Sequence, residues 1–352
     1  MTMTVINDLH LGVVRSSGTT PASALKLRQD NLQRFDALLQ TCEDDAVLIN
    51  GDLFDTFSIP HQDLWESIQI SQRYLAGNEQ AKLYAARGNH DLSRNGTLMS
   101  SFDLYCKVLS SMFPERFFGI TEPTYIASED AYVIPHLLNQ DRHDAALLAV
   151  PACSFLFLHA NYDNFYALEA DHSVNVTKEQ CRVSPAQVIV FGHEHSHKTA
   201  LAGKVMITGC QLPTSVADWV SNDVKYLLRT SLQPSAKHVD ESAPSLELVP
   251  VLQASTDFSR QDWRNLQDTG ARFIRVEGEA TASEAADAVS AISKFRARSD
   301  ALVITNAVRV EGATPEEIEL SVEQMAVFDV KAAVLELLTE QERTVLLGLL
   351  EG

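Results

Sequence analysis

The sequence lacks a hydrophobic run long enough to cross a membrane as a helix, although 45% of its 352 residues are hydrophobic. Met1 leads almost directly into the strand-like segment Thr4-Val5-Ile6, so we expect no signal peptide. There is also no internal repeat and no low-complexity tract. We therefore expect a cytoplasmic protein without a membrane partner, with one large domain and one or two smaller ones.

Positive charge is scarce in this chain. It carries 28 Lys and Arg residues against 47 Asp and Glu residues, a formal net charge of −19. This charge argues against DNA binding through a basic surface, although divalent ions or a partner subunit can supply positive charge locally. From Glu311 to Gly352 there are ten acids and only two bases, Lys331 and Arg343. We therefore do not expect this tail to contact phosphate.

Cysteine pairs with the spacing of disulfides or zinc sites are missing too. The cysteines are odd in number and scattered, which favours reduced thiols, mostly in the core of a cytoplasmic protein. They are Cys42, Cys106, Cys153, Cys181 and Cys210.

What the sequence does have is an alternation of short apolar strands and amphipathic helices, the pattern of an α/β fold. Helices are predicted around Leu32 to Leu39, Leu64 to Leu75 and Phe102 to Met112. Strands are predicted at Thr4 to Asn7, Ala46 to Ile49, Lys82 to Ala86, Arg116 to Ile120, Thr124 to Ala127, Ala131 to Ile134, Ser154 to Leu158, Gln187 to Phe191, Lys204 to Thr208, Val224 to Thr230 and Leu246 to Leu252, with an exposed hairpin loop from Ser231 to Ser245.

A domain boundary is predicted near Asp257. Beyond it, strands at Arg272 to Glu277 and Ala301 to Thr305 flank a helix that follows the capping box Thr281 to Glu284. This small βαβ unit carries no cluster of reactive side chains. Two apolar stripes between Val330 and Leu350 predict a helical hairpin at the end of the chain.

Five short polar clusters each follow an apolar strand, and ligands collect at the carboxyl ends of strands in α/β sheets. The clusters are Asp8 with His10, Asp52, Asn89 with His90, His159, and His193 with His195. Residues two apart in an extended segment point the same way. Asp8 with His10, and His193 with His195, can therefore converge on one point. Carboxylate, amide and imidazole ligands suit Mn, Fe, Zn or similar divalent ions. Without His90 the clusters supply seven such ligands, which are too many for one tetrahedral ion but suit two ions that share a bridging carboxylate.

Each cluster also has a structural interpretation. An isolated Asp-x-His is more often a surface turn, an Asn after Gly a turn residue, and a single histidine a core residue. Five clusters in order at strand ends favour a common site instead. Asp55 and Asp91 either orient a neighbouring ligand or cap a helix. No functional role is predicted for the remaining histidines, His61, His136, His143, His172, His197 and His238.

Complete and in order over roughly the first 200 residues, these clusters resemble the five-motif signature of the calcineurin-like metallophosphoesterases. The matching motifs are Asp8-x-His10, Gly51-Asp52, Gly88-Asn89-His90-Asp91, His159 and Gly192-His193-x-His195. The resemblance implies a four-layer α/β/β/α sandwich with a small βαβ capping domain and a C-terminal helical tail. It also implies that Asp8, His10 and His195 bind a first metal ion. The ligands of the second ion would be Asn89, His159 and His193, with Asp52 as the bridge.

The chemistry implied by the resemblance is phosphoester hydrolysis. Two divalent ions, Mn²⁺ foremost with Mg²⁺, Fe²⁺ and Zn²⁺ also open, would lie about 3.5–4 Å apart, hold a phosphodiester and activate a water for in-line attack. His90 resembles the family's catalytic acid, which donates a proton to the leaving oxygen.

Finer features resemble the SbcD-type DNA-repair nuclease subunits of bacteria and bacteriophages. These features are the run Gly51 to Thr56, with Ser58-Ile59-Pro60 just after it, and the order of the parts. The expected parts are a nuclease domain (1–256), a capping domain (257–312) and a tail (313–352) that docks on an SbcC-type coiled-coil ATPase. The resemblance further implies DNA as substrate, with exonuclease or endonuclease activity. It also implies a homodimer, for which the helix carrying Leu64 and Leu75 is one candidate interface.

Two other functions stay open, because the motifs give the reaction class and not the substrate. One is a phosphodiesterase or phosphatase that acts on small nucleotides, with the βαβ unit as a specificity lid. The other is a metal-free scaffold that has kept the fold, although the intact ligand set argues against it. Asn7 stands where the family more usually has serine, which we expect to be harmless.

Overall fold

The computed structural model describes residues 2–13, 18–42, 44, 46–93, 97–164, 173–220, 223–234 and 242–311, and all structural statements refer to these. Within these ranges no helix is long and apolar enough to span a membrane. All five cysteines are free thiols, as predicted. The predicted helical tail, from 313 to 352, lies outside the described residues.

The first sheet contains six strands, and the apolar residues of its central strands are fully buried. The strands are β1 (Thr2–Ile6), β2 (Ala46–Asn50), β3 (Lys82–Ala86), β4 (Phe117–Ile120), β13 (Val224–Pro234) and β14 (Ser242–Gln253). Their order is β14-β13-β1-β2-β3-β4. The pairings from β1 to β4 are parallel, whereas β13 runs antiparallel to both β1 and β14.

The second sheet also contains six strands, in the order β11-β12-β10-β7-β6-β5. They are β5 (Thr124–Ile126), β6 (Ala131–Ile134), β7 (Phe155–His159), β10 (Val188–Gly192), β11 (Lys198–Ala200) and β12 (Val205–Ile207). The four inner strands are parallel, and both edge strands are antiparallel to their neighbours. Near-continuous apolar runs such as Phe155–His159 are what strands buried on both faces require.

Helices cover the outer faces of the two sheets. They are α1 (Pro21–Gln40), α2 (His61–Gly77) and α3 (Ser101–Met112) on the first sheet, and α4 (Gln140–Leu148) and α5 (Lys178–Val183) on the second. A third apolar cluster, which includes Val5, Leu48, Phe157 and Val190, fills the space between the sheets. Each fully buried Leu, Val or Phe there contributes roughly 1.5–3 kcal/mol. These layers confirm the expected α/β/β/α sandwich.

The remaining elements are short or lie late in the chain. They are β8 (Asn161–Tyr162), β9 (Asn175–Val176), α6 (Ala217–Val220), α7 (Ala254–Asp257), β15 (Phe258–Asp262), β16 (Phe273–Glu277), β17 (Glu279–Ala280), α8 (Ala285–Arg298), β18 (Val303–Asn306) and β19 (Arg309–Val310). Strands β15, β16 and β18 form a three-stranded sheet. The strand–helix–strand succession predicted after Asp257 is therefore present as β16, α8 and β18.

The chain divides into two compact units. The larger contains Met1–Arg260, Gln267–Arg275 and Arg298–Thr305. The smaller contains Gln261–Leu266, Val276–Ala297 and the described residues from Asn306 onward. The chain thus passes between the units more than once, whereas the sequence suggested consecutive domains. The domain boundaries drawn from the sequence stay predictions.

Two differences from the predicted elements have clear physical causes. Strand β13 continues to Pro234 and strand β14 begins at Ser242, so both reach into the segment predicted as a loop. They do so because pairing between the two strands extends regular structure into polar sequence. Helix α4 was not predicted, since its buried face consists of His143 and Ala146 rather than large apolar residues.

His143 is an unusual residue to find in such a core position. It has no exposed surface, and neither ring nitrogen has a hydrogen-bond partner among the described residues. Burial lowers the pKa of His143 from 6.5 to about 4, so its imidazole is neutral in the folded protein at neutral pH. The unfolded chain takes up this proton below about pH 6.5 and the folded chain does not until about pH 4. The stability of the fold therefore falls as the pH drops through that window.

We expect His143→Leu to remove this acid sensitivity. Between pH 7 and pH 5.5 the wild type should lose about 1 kcal/mol more unfolding free energy than the variant, measured by urea denaturation at both pH values. His61→Leu, at the exposed start of α2, is the matched control and should keep the wild-type pH dependence. An identical pH dependence in wild type and His143→Leu would contradict the neutral buried histidine.

Candidate metal centre

The carboxyl ends of five strands supply the predicted ligands. In the first sheet β1, β2 and β3 are parallel neighbours, and Asp8, Asp52 and Asn89 follow their ends. In the second sheet His159 is the last residue of β7, and His193 directly follows the parallel neighbour β10. Two sets of strand ends therefore deliver polar side chains to one region, as the sequence predicts.

Four of the predicted ligands adopt a positive φ: Asp8 at 52°, His10 at 45°, Asp52 at 47° and His193 at 87°. Residues with a Cβ rarely adopt this conformation, and each instance costs of order 1–3 kcal/mol. All four lie in turns directly after β1, β2 or β10. Such strain is typical of functional sites, where the surrounding structure holds the backbone in place.

The first cluster contains Asp8, His10 and His195, whose potential ligand atoms lie within 4.8 Å of one another. Nε2 of His10 and Nε2 of His195 are 3.0 Å apart. A carboxylate lies behind each ring: Oδ1 of Asp55 is 3.4 Å from Nδ1 of His10, and Oδ1 of Asp218 is 2.7 Å from Nδ1 of His195.

These carboxylates decide which ring nitrogens of the first cluster carry protons. A carboxylate beside Nδ1 favours the tautomer that is protonated there and leaves Nε2 with a lone pair. Two lone pairs that face each other at 3.0 Å repel unless a proton or a cation is shared between them. The donor set of His10, His195 and Asp8 therefore fits a divalent cation.

The second cluster contains Asp52, Asn89, His159 and His193. Oδ1 of Asn89 is 3.0 Å from both Nε2 of His159 and Nδ1 of His193. Nδ1 of His159 donates to the carbonyl oxygen of Asn50, at 3.1 Å, so its Nε2 faces the oxygens of Asn89 and Asp52. Imidazole nitrogens and the amide and carboxylate oxygens converge on one point, a set of ligands that fits a second cation.

Asp52 links the two clusters. Its Oδ2 is 3.3 Å from Nε2 of His159 and 3.8 Å from Nε2 of His10, while its Oδ1 accepts the backbone N–H of His90 at 3.0 Å. Burial opposes the charge of Asp52, but the neighbouring histidines, His159 foremost, hold its pKa well below the usual value. Burial likewise opposes the charge of His159, yet Asp52 raises the pKa of His159 to about 9. One carboxylate is therefore positioned to serve both clusters.

A sequence profile of the calcineurin-like phosphoesterases matches residues 1–197, which is more than half of the chain and includes all seven predicted ligands. The chain belongs to this family. Calcineurin-like phosphoesterases use divalent metals, in agreement with the donor sets of the two clusters. A comparison with curated proteins gave no match.

Three solved structures are similar to this calcineurin-like phosphoesterase at low identity. An archaeal phosphodiesterase is 10% identical over 71% of this chain and 100% of its own, with a TM-score of 0.31. Vps29 of Chaetomium thermophilum is 11% identical over 72% and 99% of the two chains, with a TM-score of 0.28. A predicted phosphoesterase of Streptococcus pneumoniae is 16% identical over 70% and 97%, with a TM-score of 0.28. At these scores they add nothing to the family assignment.

Two glycines of the family motifs are required by close packing around the site. A Cβ on Gly51 would collide with the ring of His159, and a Cβ on Gly88 would collide with the backbone and carboxylate of Asp52. Gly51 also has a φ of 91°, in the left-handed region that glycine adopts without strain. Both glycines therefore let the loops approach one another closely enough to assemble the two clusters.

His90, the predicted catalytic acid, lies beside the clusters rather than between their ligands. Its ring packs edge-on against His10, with the centroids 5.0 Å apart, and its Nδ1 donates to the carbonyl oxygen of Asp55 at 2.6 Å. That hydrogen bond fixes the orientation of the ring and does not involve Nε2. Other potential ligand sets, His10 with Asp55 and His90, and His195 with Cys210 and Asp218, overlap the first cluster.

Asp91 and Asp55 both orient parts of the site. The Asp91 carboxylate accepts the backbone N–H groups of Leu53, Phe54 and Gly88, at 3.4, 3.0 and 2.8 Å, so it joins the loops that carry Asp52 and Asn89. Burial and the charge of Asp52 raise the pKa of Asp91 to about 7, and the N–H donors partly offset this. Asp55 contacts His10 through its carboxylate and His90 through its carbonyl.

Asp218, which accepts a hydrogen bond from Nδ1 of His195, was not predicted from the sequence. It lies on the four-residue helix α6, 23 residues beyond its partner. Neither a strand end nor a family motif marks it, and a Ser-x-x-Asp turn is common in loops. Only the folded chain brings the two side chains together.

We expect the protein to bind two Mn²⁺ ions and Asp52→Asn to retain at most one, because a neutral amide cannot bridge two cations as a carboxylate does. Metal content after dialysis, measured by mass spectrometry, tests this. Chelation should also lower the melting temperature of the wild type more than that of Asp52→Asn. Asp36→Asn, on α1 and paired with Arg73, is the control and should retain both ions. Two ions in Asp52→Asn would contradict the bridging role.

Proposed function

We propose that this calcineurin-like phosphoesterase is a metal-dependent phosphodiesterase that cleaves DNA as the nuclease subunit of an SbcCD-type complex. The observation that carries the hydrolase part is the pair of ligand clusters around the shared, buried Asp52, with His90 beside them. The DNA part is supported by two features. The run from Gly51 to Thr56 resembles the SbcD-type nuclease subunits, and a βαβ unit follows the proposed nuclease core.

The chain's own residues have distinct tasks in this reaction. Asp8, His10 and His195 would hold one ion, and Asn89, His159 and His193 the other, with Asp52 common to both. When bound, the ions neutralise charge on the phosphate and lower the pKa of a water molecule. His90 donates a proton from Nε2 to the leaving oxygen, since its Nδ1 proton is held by the carbonyl of Asp55. The carboxylate of Asp55 also contacts His10, so one residue orients both rings.

The partners proposed with this function are DNA, an SbcC-type ATPase and a second copy of the chain. Leu64 and Leu75, which mark α2 as a candidate dimer interface, are buried in the core and cannot themselves contact a partner. On the same helix Trp65 is 54% exposed, so a dimer through α2 would use that side chain. Mn²⁺ is the proposed native ion.

One observation favours a second candidate function, hydrolysis of small nucleotide phosphodiesters. The net charge of −19 opposes the approach of a long polyanion more strongly than that of a small one. Under the DNA proposal the ATPase subunit and the metal ions must supply the missing positive charge.

A paired substrate assay separates the two functions. With Mn²⁺ present, we expect the chain to degrade linear duplex DNA, and to do so faster when the coiled-coil ATPase encoded by the same source is added. Bis(4-nitrophenyl) phosphate and cyclic nucleotides serve as the small substrates. Rapid turnover of the small substrates with no DNA cleavage, alone or with the ATPase, would contradict the DNA proposal and favour the second candidate.

We expect His90→Ala to lower kcat by about 10²–10⁴-fold while two metal ions remain bound, because His90 moves a proton and is not a ligand. Steady-state kinetics and metal analysis on the same sample test this. His61→Ala, which removes an exposed histidine on α2, is the matched control and should keep wild-type activity. A wild-type kcat in His90→Ala would contradict the assignment of His90 as the acid.

A further inference from the structure

The ring of His195 donates a hydrogen bond to the carboxylate of Asp218. Oδ1 of Asp218 lies 2.7 Å from Nδ1 of His195, and the Asp218 side chain is almost fully buried. The carboxyl group beside His195 therefore lies in a region shielded from water.

The second oxygen of Asp218 is fixed by its own turn. Oδ2 accepts the backbone N–H of Thr214 at 2.9 Å, the backbone N–H of Ser215 at 2.8 Å and the hydroxyl of Ser215 at 2.9 Å. Three donors on one oxygen leave the carboxylate little rotational freedom. Oδ1 therefore stays directed at His195.

A buried lysine fixes the backbone on both sides of this contact. Nζ of Lys225 donates to the carbonyl oxygen of Asp218 at 2.5 Å and lies 3.5 Å from the carbonyl oxygen of His195. Lys225 is 1% exposed, and its ammonium also lies 5.5 Å from the centroid of the Trp219 ring. A buried ammonium is costly unless it is paired, so this lysine, Asp218 and His195 form one connected polar network.

We infer that Asp218 is a positioning residue that sets the affinity of the first metal cluster through His195. By accepting the Nδ1 proton, it fixes the ring in the tautomer and orientation in which Nε2 can bind a cation. In the second cluster Nδ1 of His159 donates to the carbonyl oxygen of Asn50 at 3.1 Å, and the carboxylate of Asp8 lies farther away, at 3.9 Å. This inference rests on the metal-dependent function proposed above, but not on DNA as the substrate.

The test is a Mn²⁺ titration of Asp218→Asn by calorimetry, with chelator competition. We expect the dissociation constant of the first cluster to rise about 10–100-fold and that of the second to change less than threefold. His10→Gln, which removes a first-cluster ligand, and His193→Gln, which removes a second-cluster ligand, show which binding step belongs to which cluster. Asp218→Asn should weaken the step that His10→Gln abolishes.

Asp44→Asn is the matched control for a purely structural effect. Asp44 is a buried carboxylate paired with Thr4 and Arg229, and it precedes β2, at the opposite end of the strand from Asp52. We expect both Asn variants to lower the melting temperature of the metal-free protein and only Asp218→Asn to lower metal affinity. Ser215→Ala, which removes one donor to Oδ2, is a milder variant and should weaken the first cluster about threefold to tenfold.

The outcomes distinguish this inference from the proposed function. If the wild type binds no Mn²⁺, the metal-dependent function itself fails. If the wild type binds two ions and both Asp218→Asn and Ser215→Ala keep the first affinity within threefold, only the role of Asp218 is overturned. Equal losses in both clusters would also overturn it, because they would indicate a general loss of structure.

Discussion

The buried carboxylate of Asp52 is the constraint on which the rest of the site depends. A charged group removed from water costs several kcal/mol unless positive groups surround it, and Asp52 is 1% exposed. The backbone N–H of His90 compensates one oxygen, and the imidazoles of His10 and His159 lie near the other. These neighbours come from three different segments of the chain, so the charge of Asp52 is balanced only when all three are in place. Divalent ions shared by the same segments would balance it further.

The packed sheets compensate the unfavourable backbone conformations that the loops of the site adopt. Positive φ angles at Asp8, His10, Asp52 and His193 are unfavourable, and they persist because the sheets on either side are rigid and fully packed. Asp91 adds to this support, because its carboxylate joins the Asp52 and Asn89 loops through their backbone N–H groups. The packed sandwich thus supplies stability that the site then uses for precise placement of its polar groups.

Much of this arrangement could be predicted from the sequence, because the signal lies in local patterns. An apolar strand followed by a polar cluster identifies a strand end, and parallel strands bring such ends together, which accounts for Asp8, Asp52, Asn89, His159 and His193. What local patterns do not contain is the partner of each ring. Two examples are the hydrogen bond between His195 and Asp218 and the hydrogen bond from His90 to the carbonyl oxygen of Asp55. Both join residues that are far apart in the sequence and close only in the folded chain. Helix α4 was missed for a related reason, since His143 occupies a core position that a hydrophobicity pattern counts as polar.

The two clusters also differ in the charge that surrounds them. His10 and His195 have the carboxylates of Asp55 and Asp218 behind them, and Asp8 belongs to the same cluster. In the second cluster Nδ1 of His159 donates to a neutral carbonyl, with Asp8 farther off at 3.9 Å, and Asn89 contributes a neutral amide. Unit charges about 4 Å apart near a protein surface interact by roughly 4 kcal/mol, so two additional carboxylates change the affinity for a divalent cation substantially. The carboxylates behind His10 and His195 would therefore strengthen the binding of a cation at the first cluster.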